Sequence, residues 1–201
     1  MWRAARMWLL LAGFGAPFAA ALGAQSLAAR LDSANVLHIS APRFHFLTGK
    51  PLERLKDGAT VAFLGQLSLS FDANTTVQAR SVARFAMSYD IWEERFSVTR
   101  FSLSKGETAA RTASHLSGDA AENWCLDNLG LDSSLIPADR QFWLRLELRV
   151  EENRDTNGVL GDPGINLTRL IEIFSRPARA QQPRWQLDAG PLRLRDLRRN
   201  S

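Results

Sequence analysis

From Phe142 to Val150 the chain alternates without a break: Phe142, Leu144, Leu146, Leu148 and Val150 are apolar, and Trp143, Arg145, Glu147 and Arg149 stand between them. A period of two is the side-chain repeat of an extended strand, whereas a helix would scatter the same residues around its axis. The segment therefore has one greasy face and one polar face, and the fold must hide the first. Two further runs repeat the pattern. Val61, Phe63, Leu67, Leu69 and Phe71 share one parity with Gly65, opposite Gln66, Ser68 and Ser70. After the turn residues Asp72-Ala73-Asn74-Thr75, Val77, Ala79, Ala83, Phe85 and Met87 face away from Gln78, Arg80, Arg84 and Ser88. The two runs are expected to pair as a long hairpin.

Weaker signals fill in the rest. A short strand is expected at Asn35 to Ser40, closed by Pro42, and an irregular connection at Phe44 to Gly58, where Gly49, Pro51 and Gly58 act as breakers. Asp90 to Glu94 reads as a tight turn into a strand at Arg95 to Leu103, with a parity change at Phe101 and Leu103 that suggests a bulge or a strand end. Ser117 or Asp119 can cap a helix running to about Leu129, with Asp119 and Glu122 near its positive end and Gly130 as the stop. Asp162-Pro163 opens a second helix whose Leu167, Leu170, Ile171 and Phe174 form an apolar stripe that could cover the sheet. Trp185 to Leu187 looks like a closing strand before Gly190-Pro191. Strands without regular strand-helix-strand alternation predict an α+β fold: a single domain with a twisted antiparallel sheet, a long hairpin, and one or two helices covering one face.

The first 24 residues have the layout of a signal peptide. Arg3 and Arg6 precede an apolar run from Met7 to Leu22, and small residues offer cleavage between positions 21 and 24. About 16 apolar residues interrupted by Pro17 are short for a membrane span of roughly 20. Residues 25–201 then form the globular domain, with a basic tail from about position 191. The net charge of +4 does not point to nucleic acid. Six of the 25 basic residues (Arg3, Arg6, Arg193, Arg195, Arg198 and Arg199) lie at the two ends, and the body between Gln25 and Gly190 is close to neutral. The tail could touch anionic lipid weakly. Only three lysines, Lys50, Lys56 and Lys105, accompany the many arginines, a composition that suits a bacterial source.

Chemistry-bearing motifs are sparse. The lone Cys125 excludes an intrachain disulfide and falls on a stripe with Ala121 and Leu129, the setting of a buried, inert thiol. His38, His45 and His115 show no metal-ligand spacing, so no metal and no cofactor is expected. The chain has no Gly-x-Ser-x-Gly elbow and no phosphate-binding glycine loop. Asn153 to Gly158 resembles the first half of a calcium loop, but Gly164 stands where the bidentate Glu belongs. Asn74 and Asn166 begin glycosylation sequons, relevant only in a eukaryotic secretory host.

The segment Ser88-Tyr89-Asp90-Ile91-Trp92-Glu93-Glu94-Arg95-Phe96-Ser97-Val98-Thr99, with Glu122-Asn123-Trp124 after it, resembles an uncharacterised family of exported bacterial proteins, a domain of unknown function. The resemblance runs over most of Leu55 to Leu197. It implies export and a strand, turn, strand, helix, strand order closed by a Trp-bearing strand, and it carries no site residues. The expectation is an exported periplasmic or extracellular protein that acts without catalysis by binding a protein partner. Its contact surface would be the polar face of the last long strand, Trp143, Arg145, Glu147 and Arg149, with Arg80 and Arg84 of the hairpin nearby. An alternative is carriage of an apolar small molecule between sheet and helices. A hydrolase is third, and would need one of the three histidines to meet a serine and a carboxylate.

Overall fold

The computed structural model describes residues 27–73, 76–102, 110–151, 174–175 and 182–198. The predicted signal peptide, the Asn153 to Gly158 loop and most of the helix predicted after Pro163 lie outside them. The elements are β1 (Ala28–Leu31), β2 (Val36–Ser40), α1 (Gly49–Lys56), β3 (Val61–Ser70), β4 (Val77–Asp90), β5 (Arg95–Ser102), β6 (Arg111–Leu116), α2 (Gly118–Asp127), β7 (Leu131–Asp132), β8 (Gln141–Val150), β9 (Arg184–Arg193) and α3 (Leu194–Arg198). They form an α+β protein with two antiparallel sheets, one ordered β1-β2-β7 and the other β6-β5-β4-β3-β8-β9.

The alternating runs pair as their parity demands. β3 and β4 make the long hairpin, with Phe63 opposite Phe85 and Leu67 opposite Ser81, and β8 lies on the other side of β3, with Leu67 opposite Leu146. One face of the large sheet thus gathers Phe63, Leu67, Phe85, Met87, Leu144, Leu146 and Leu148, all buried. Gly65 sits in the middle of this face because the space is taken: a Cβ there would lie 2.9 Å from Leu129 Cδ1 and 3.2 Å from both Leu148 Cδ2 and Phe85 Cε2.

The cover over this face comes from α2, from the stretch before α1 and from the small sheet. Phe85 meets Trp124 of α2 edge-on at 6.3 Å, and Phe46 meets Phe63 at 5.1 Å. Helix α2 begins where Ser117 Oγ accepts from Ala120 N, and it buries Ala121, Cys125 and Leu126. Its predicted stop, Gly130, is required by a close approach, since a Cβ would fall 2.6 Å from Val36 Cγ1 of β2. Phe174, the last residue of the predicted apolar stripe, instead lies against Arg149 on the other side of the large sheet.

Several expectations are corrected. The supposed irregular stretch from Phe44 to Gly58 contains α1. Pro51 lies in its first turn, where the missing N–H is no loss, and Pro51 and Leu55 are buried while Arg54 and Lys56 complement the helix end. The unpatterned segment after Gly106 contains β6, a polar edge strand recruited by pairing with β5, with Thr99 Oγ1 3.1 Å from Thr112 Oγ1. Of the two readings of the parity change near Phe101, the strand end holds, since β5 stops at Ser102, while the register irregularity on β5 falls between Phe96 and Val98.

Strand β9 runs past Leu187 and through Gly190-Pro191 to Arg193, absorbing an irregularity opposite Phe142 and Leu144. As far as it is described, the basic end packs on the protein: Leu194 is buried, Leu197 packs on the core, and Arg195 binds Asp139 at 3.0 Å. No helix among the described residues is long and apolar enough to cross a membrane.

Candidate functional site

Strand parity places the sequence-predicted surface residues on one face, in three rows across the sheet. The first row is Arg80, Ser68, Arg145 and Asp188; the second is Val82, Gln66, Glu147 and Gln186; the third is Phe101, Arg84, Leu64, Arg149 and Arg184. Trp143, near the start of β8 and opposite Ser70, lies before the first row. Shared parity does not make them one exposed surface. Arg149 is buried, and its Nε donates to Glu147 Oε1 at 2.7 Å while its guanidinium lies 5.1 Å from the centre of the Phe174 ring. Arg84 Nε donates to Glu151 Oε2 at 2.8 Å and packs over Phe101.

The expectation of a wet face therefore fails at this end, because these charges pair with one another beneath covering chain. Gln66, Ser68 and Ser70 are buried too, so β3 is enclosed on both faces, and Gln66 Oε1 has no hydrogen-bond partner. Toward the other end of β8 the face opens. Arg80 is exposed, and Arg145, part-exposed, donates through Nε to Asp188 Oδ1 at 2.7 Å. Arg80 and Arg145 flank Ser68 on neighbouring strands and do not form a common ion pair.

The most exposed large apolar side chain among the described residues lies elsewhere, on the β4–β5 turn, with a second exposed one beside it. Trp92 is 90% exposed and Ile91 55%. The turn that presents them is built by Asp90, whose Oδ1 accepts from Trp92 N at 2.8 Å and from Glu93 N at 3.1 Å. These two bonds hold the Asp90 carboxyl below the usual carboxylate range. Glu94 takes a positive φ of 54°, and Glu93 pairs with His115 of β6 at 3.2 Å. Two apolar side chains thus stand in water on a turn that also carries three acids, Asp90, Glu93 and Glu94, with Arg95 and His115 beside them.

Each histidine finds a carboxylate in three dimensions. His38 Nε2 lies 3.0 Å from Asp32 Oδ2, and its Nδ1 lies 2.9 Å from the Asp127 carbonyl. His45 belongs to a tighter cluster on the first turn of α2, where Asp119 and Glu122 lie three residues apart and so share a helix face. Glu122 is buried. Its Oε1 accepts from Phe46 N and Leu47 N, both at 2.6 Å, and its Oε2 accepts from His45 Nδ1 at 2.8 Å. Asp119 Oδ1 lies 3.7 Å from the same nitrogen.

The hydrogen bond to Glu122 and the charge of that carboxylate raise the pKa of His45 above the ordinary imidazole value. This is where at least three potential metal-ligating side chains gather among the described residues. The sequence showed the Asp119/Glu122 spacing, but nothing in it pointed to His45, which is more than seventy positions away. Cys125, one turn after Ala121, is buried as expected, and burial pushes its thiol pKa up, away from the reactive thiolate. No protein-family model, curated protein or solved structure matches the chain.

Proposed function

We propose that this is an exported, non-catalytic envelope protein that acts by binding a protein partner, and that the β4–β5 turn is its principal contact. The observation that carries the reading is Trp92, which is almost fully exposed beside Ile91 on a turn stiffened by Asp90. Leaving an indole in water forgoes the burial that normally stabilises it, and tryptophan is among the residue types that most often dominate protein interfaces. A rigid turn also loses little conformational entropy on docking. The three acids of the turn, Asp90, Glu93 and Glu94, select the partner's chemistry: an apolar socket edged by lysine or arginine. The open end of the charged sheet face, with Trp143, Arg145 and Arg80, is a secondary contact in this reading. The Arg149–Glu147 and Arg84–Glu151 pairs occupy the covered end of the same face.

A carrier function has less behind it. The interior around Gly65 is filled to contact by Leu129, Leu148 and Phe85, which favours a packed core over a ligand chamber. Export is supported by the charge and apolar layout of the first 24 residues.

The test is site-specific photo-crosslinking in cells from position 93, with position 145 as the comparison, followed by purification of the adduct. The purified partner should bind the wild type with an affinity that falls as salt rises. It should bind Trp92→Ala at least about thirty-fold more weakly, the cost of losing an interface hot spot of roughly 2 kcal/mol. Equal binding by Trp92→Ala would overturn the assignment of the turn.

A further inference from the structure

Glu122 is a buried carboxylate whose two oxygens have different roles. Oε1 is engaged by the Phe46 and Leu47 amides, so the carboxylate cannot swing, and Oε2 is left to His45 Nδ1. Around Oε2 stand His45 and Asp119, whose side chains are 51% and 80% exposed. The donor atoms of all three residues lie within 4.8 Å of one another.

We infer that His45, Asp119 and Glu122 form a binding site for a divalent transition ion of the zinc class, which pins the Phe44 to Leu47 stretch to the first turn of α2.

The donor set determines the metal. One imidazole nitrogen with two carboxylate oxygens suits zinc, whereas calcium and magnesium call for six or more oxygen ligands. Around a tetrahedral ion with ligands at about 2.0–2.1 Å, neighbouring donors lie about 3.3 Å apart. The observed spacings of 2.8 Å (His45 to Glu122) and 3.7 Å (His45 to Asp119) bracket that value. Small rotations of the two exposed side chains would therefore complete three protein ligands and leave the outer position to water. With a neutral imidazole the cluster carries two negative charges, which the ion balances. The amide bonds to Oε1 act as the supporting shell that orients a ligating carboxylate. A simple ion pair between His45 and Glu122 accounts for those two residues and the positive end of α2 for Asp119, whereas an ion gives all three one common role.

The test uses the full chain without an affinity tag, stripped with EDTA and dialysed, then titrated with zinc by calorimetry and with cobalt by visible absorption. One equivalent should bind, thermal unfolding should move upward, and cobalt should show a ligand-field band of low coordination number. His45→Ala and Asp119→Asn should each weaken zinc binding at least tenfold, with circular dichroism unchanged because both side chains are exposed. Glu122→Gln, whose amide oxygen can still accept from Phe46 and Leu47, should weaken it similarly while keeping the fold. His45→Ala should also change the cobalt spectrum. Absence of saturable one-equivalent binding, or equal zinc affinity and equal cobalt spectra for the wild type and His45→Ala, would overturn the site. So would displacement of the zinc by an equal concentration of calcium.

Discussion

The two faces of the large sheet come from the same strands and are held together by different physics. On one, Phe63, Leu67, Phe85, Leu146 and Leu148 interlock with Trp124, Leu129 and Phe46, so the attraction is removal of apolar area from water. On the other, Arg149–Glu147 and Arg84–Glu151 are ion pairs withdrawn from solvent, with Phe174 and Phe101 against the guanidinium groups. The first face tolerates the loss of a methyl group in proportion to the cavity it leaves. The second is unforgiving of losing one partner, since the survivor loses the opposite charge that offsets its withdrawal from water. A strand that reads polar on alternate residues is therefore no guide to where water is.

The sharpest way to break this comparison is Arg149→Ala, expected to cost about 3–5 kcal/mol by leaving Glu147, largely withdrawn from water, without its counter-charge. Replacing both partners together (Arg149→Met with Glu147→Leu) should recover most of that loss, because two apolar side chains need no partners. Urea unfolding midpoints of the single and double variants check both outcomes. If the double variant were as unstable as the single one, the pair would not be the reason for the cost. On the apolar face, Leu146→Ala should destabilise by about 2–5 kcal/mol with no rescue from any change on the charged face.

At the open end of the charged face the effect should shrink. Arg145→Ala removes a part-exposed pair with Asp188 and should cost about 0–1 kcal/mol, less at high salt. The smallest effect on global stability belongs to the β4–β5 turn. Asp90 is held below the usual carboxylate range, so its contribution is present above its unfolded pKa near 3.8 and is lost as pH falls through the lower folded value. Amide exchange at Trp92 and Glu93 should quicken at such acid pH relative to β3. In Asp90→Asn, that acid-dependent change should disappear.

Much of this architecture was readable from side-chain type alone. The β3–β4 hairpin, β8 and the capped α2 follow from period two, from the turn at Asp72 to Thr75 and from Ser117. Other elements were hidden for specific reasons. In α1, Gly49 and Pro51 look like breakers, yet both sit at the start of a helix, where they do no harm. In β6, Arg111 to Leu116 has no apolar alternation because an edge strand needs only a neighbour to pair with, and β5 supplies it. The wet and dry parts of the Trp143 to Arg149 face could not be separated, because what lies over a residue is set by chain remote from it. The cluster at Glu122 was half visible as two carboxylates on one helical turn; its histidine arrives from the other side of the core.

The order of side chains along the chain was enough to determine which residues share a face, since alternation follows from the covalent geometry of an extended backbone and involves no distant partner. It was also enough to establish the hairpin, the start of α2 and the inert setting of Cys125. Only the folded chain decided that Arg149 and Glu147 are enclosed while Trp92 stands in water, and that His45 meets Glu122. Those outcomes depend on segments tens of residues apart closing over one another, and nothing in the local sequence encodes which surfaces will be covered when they do.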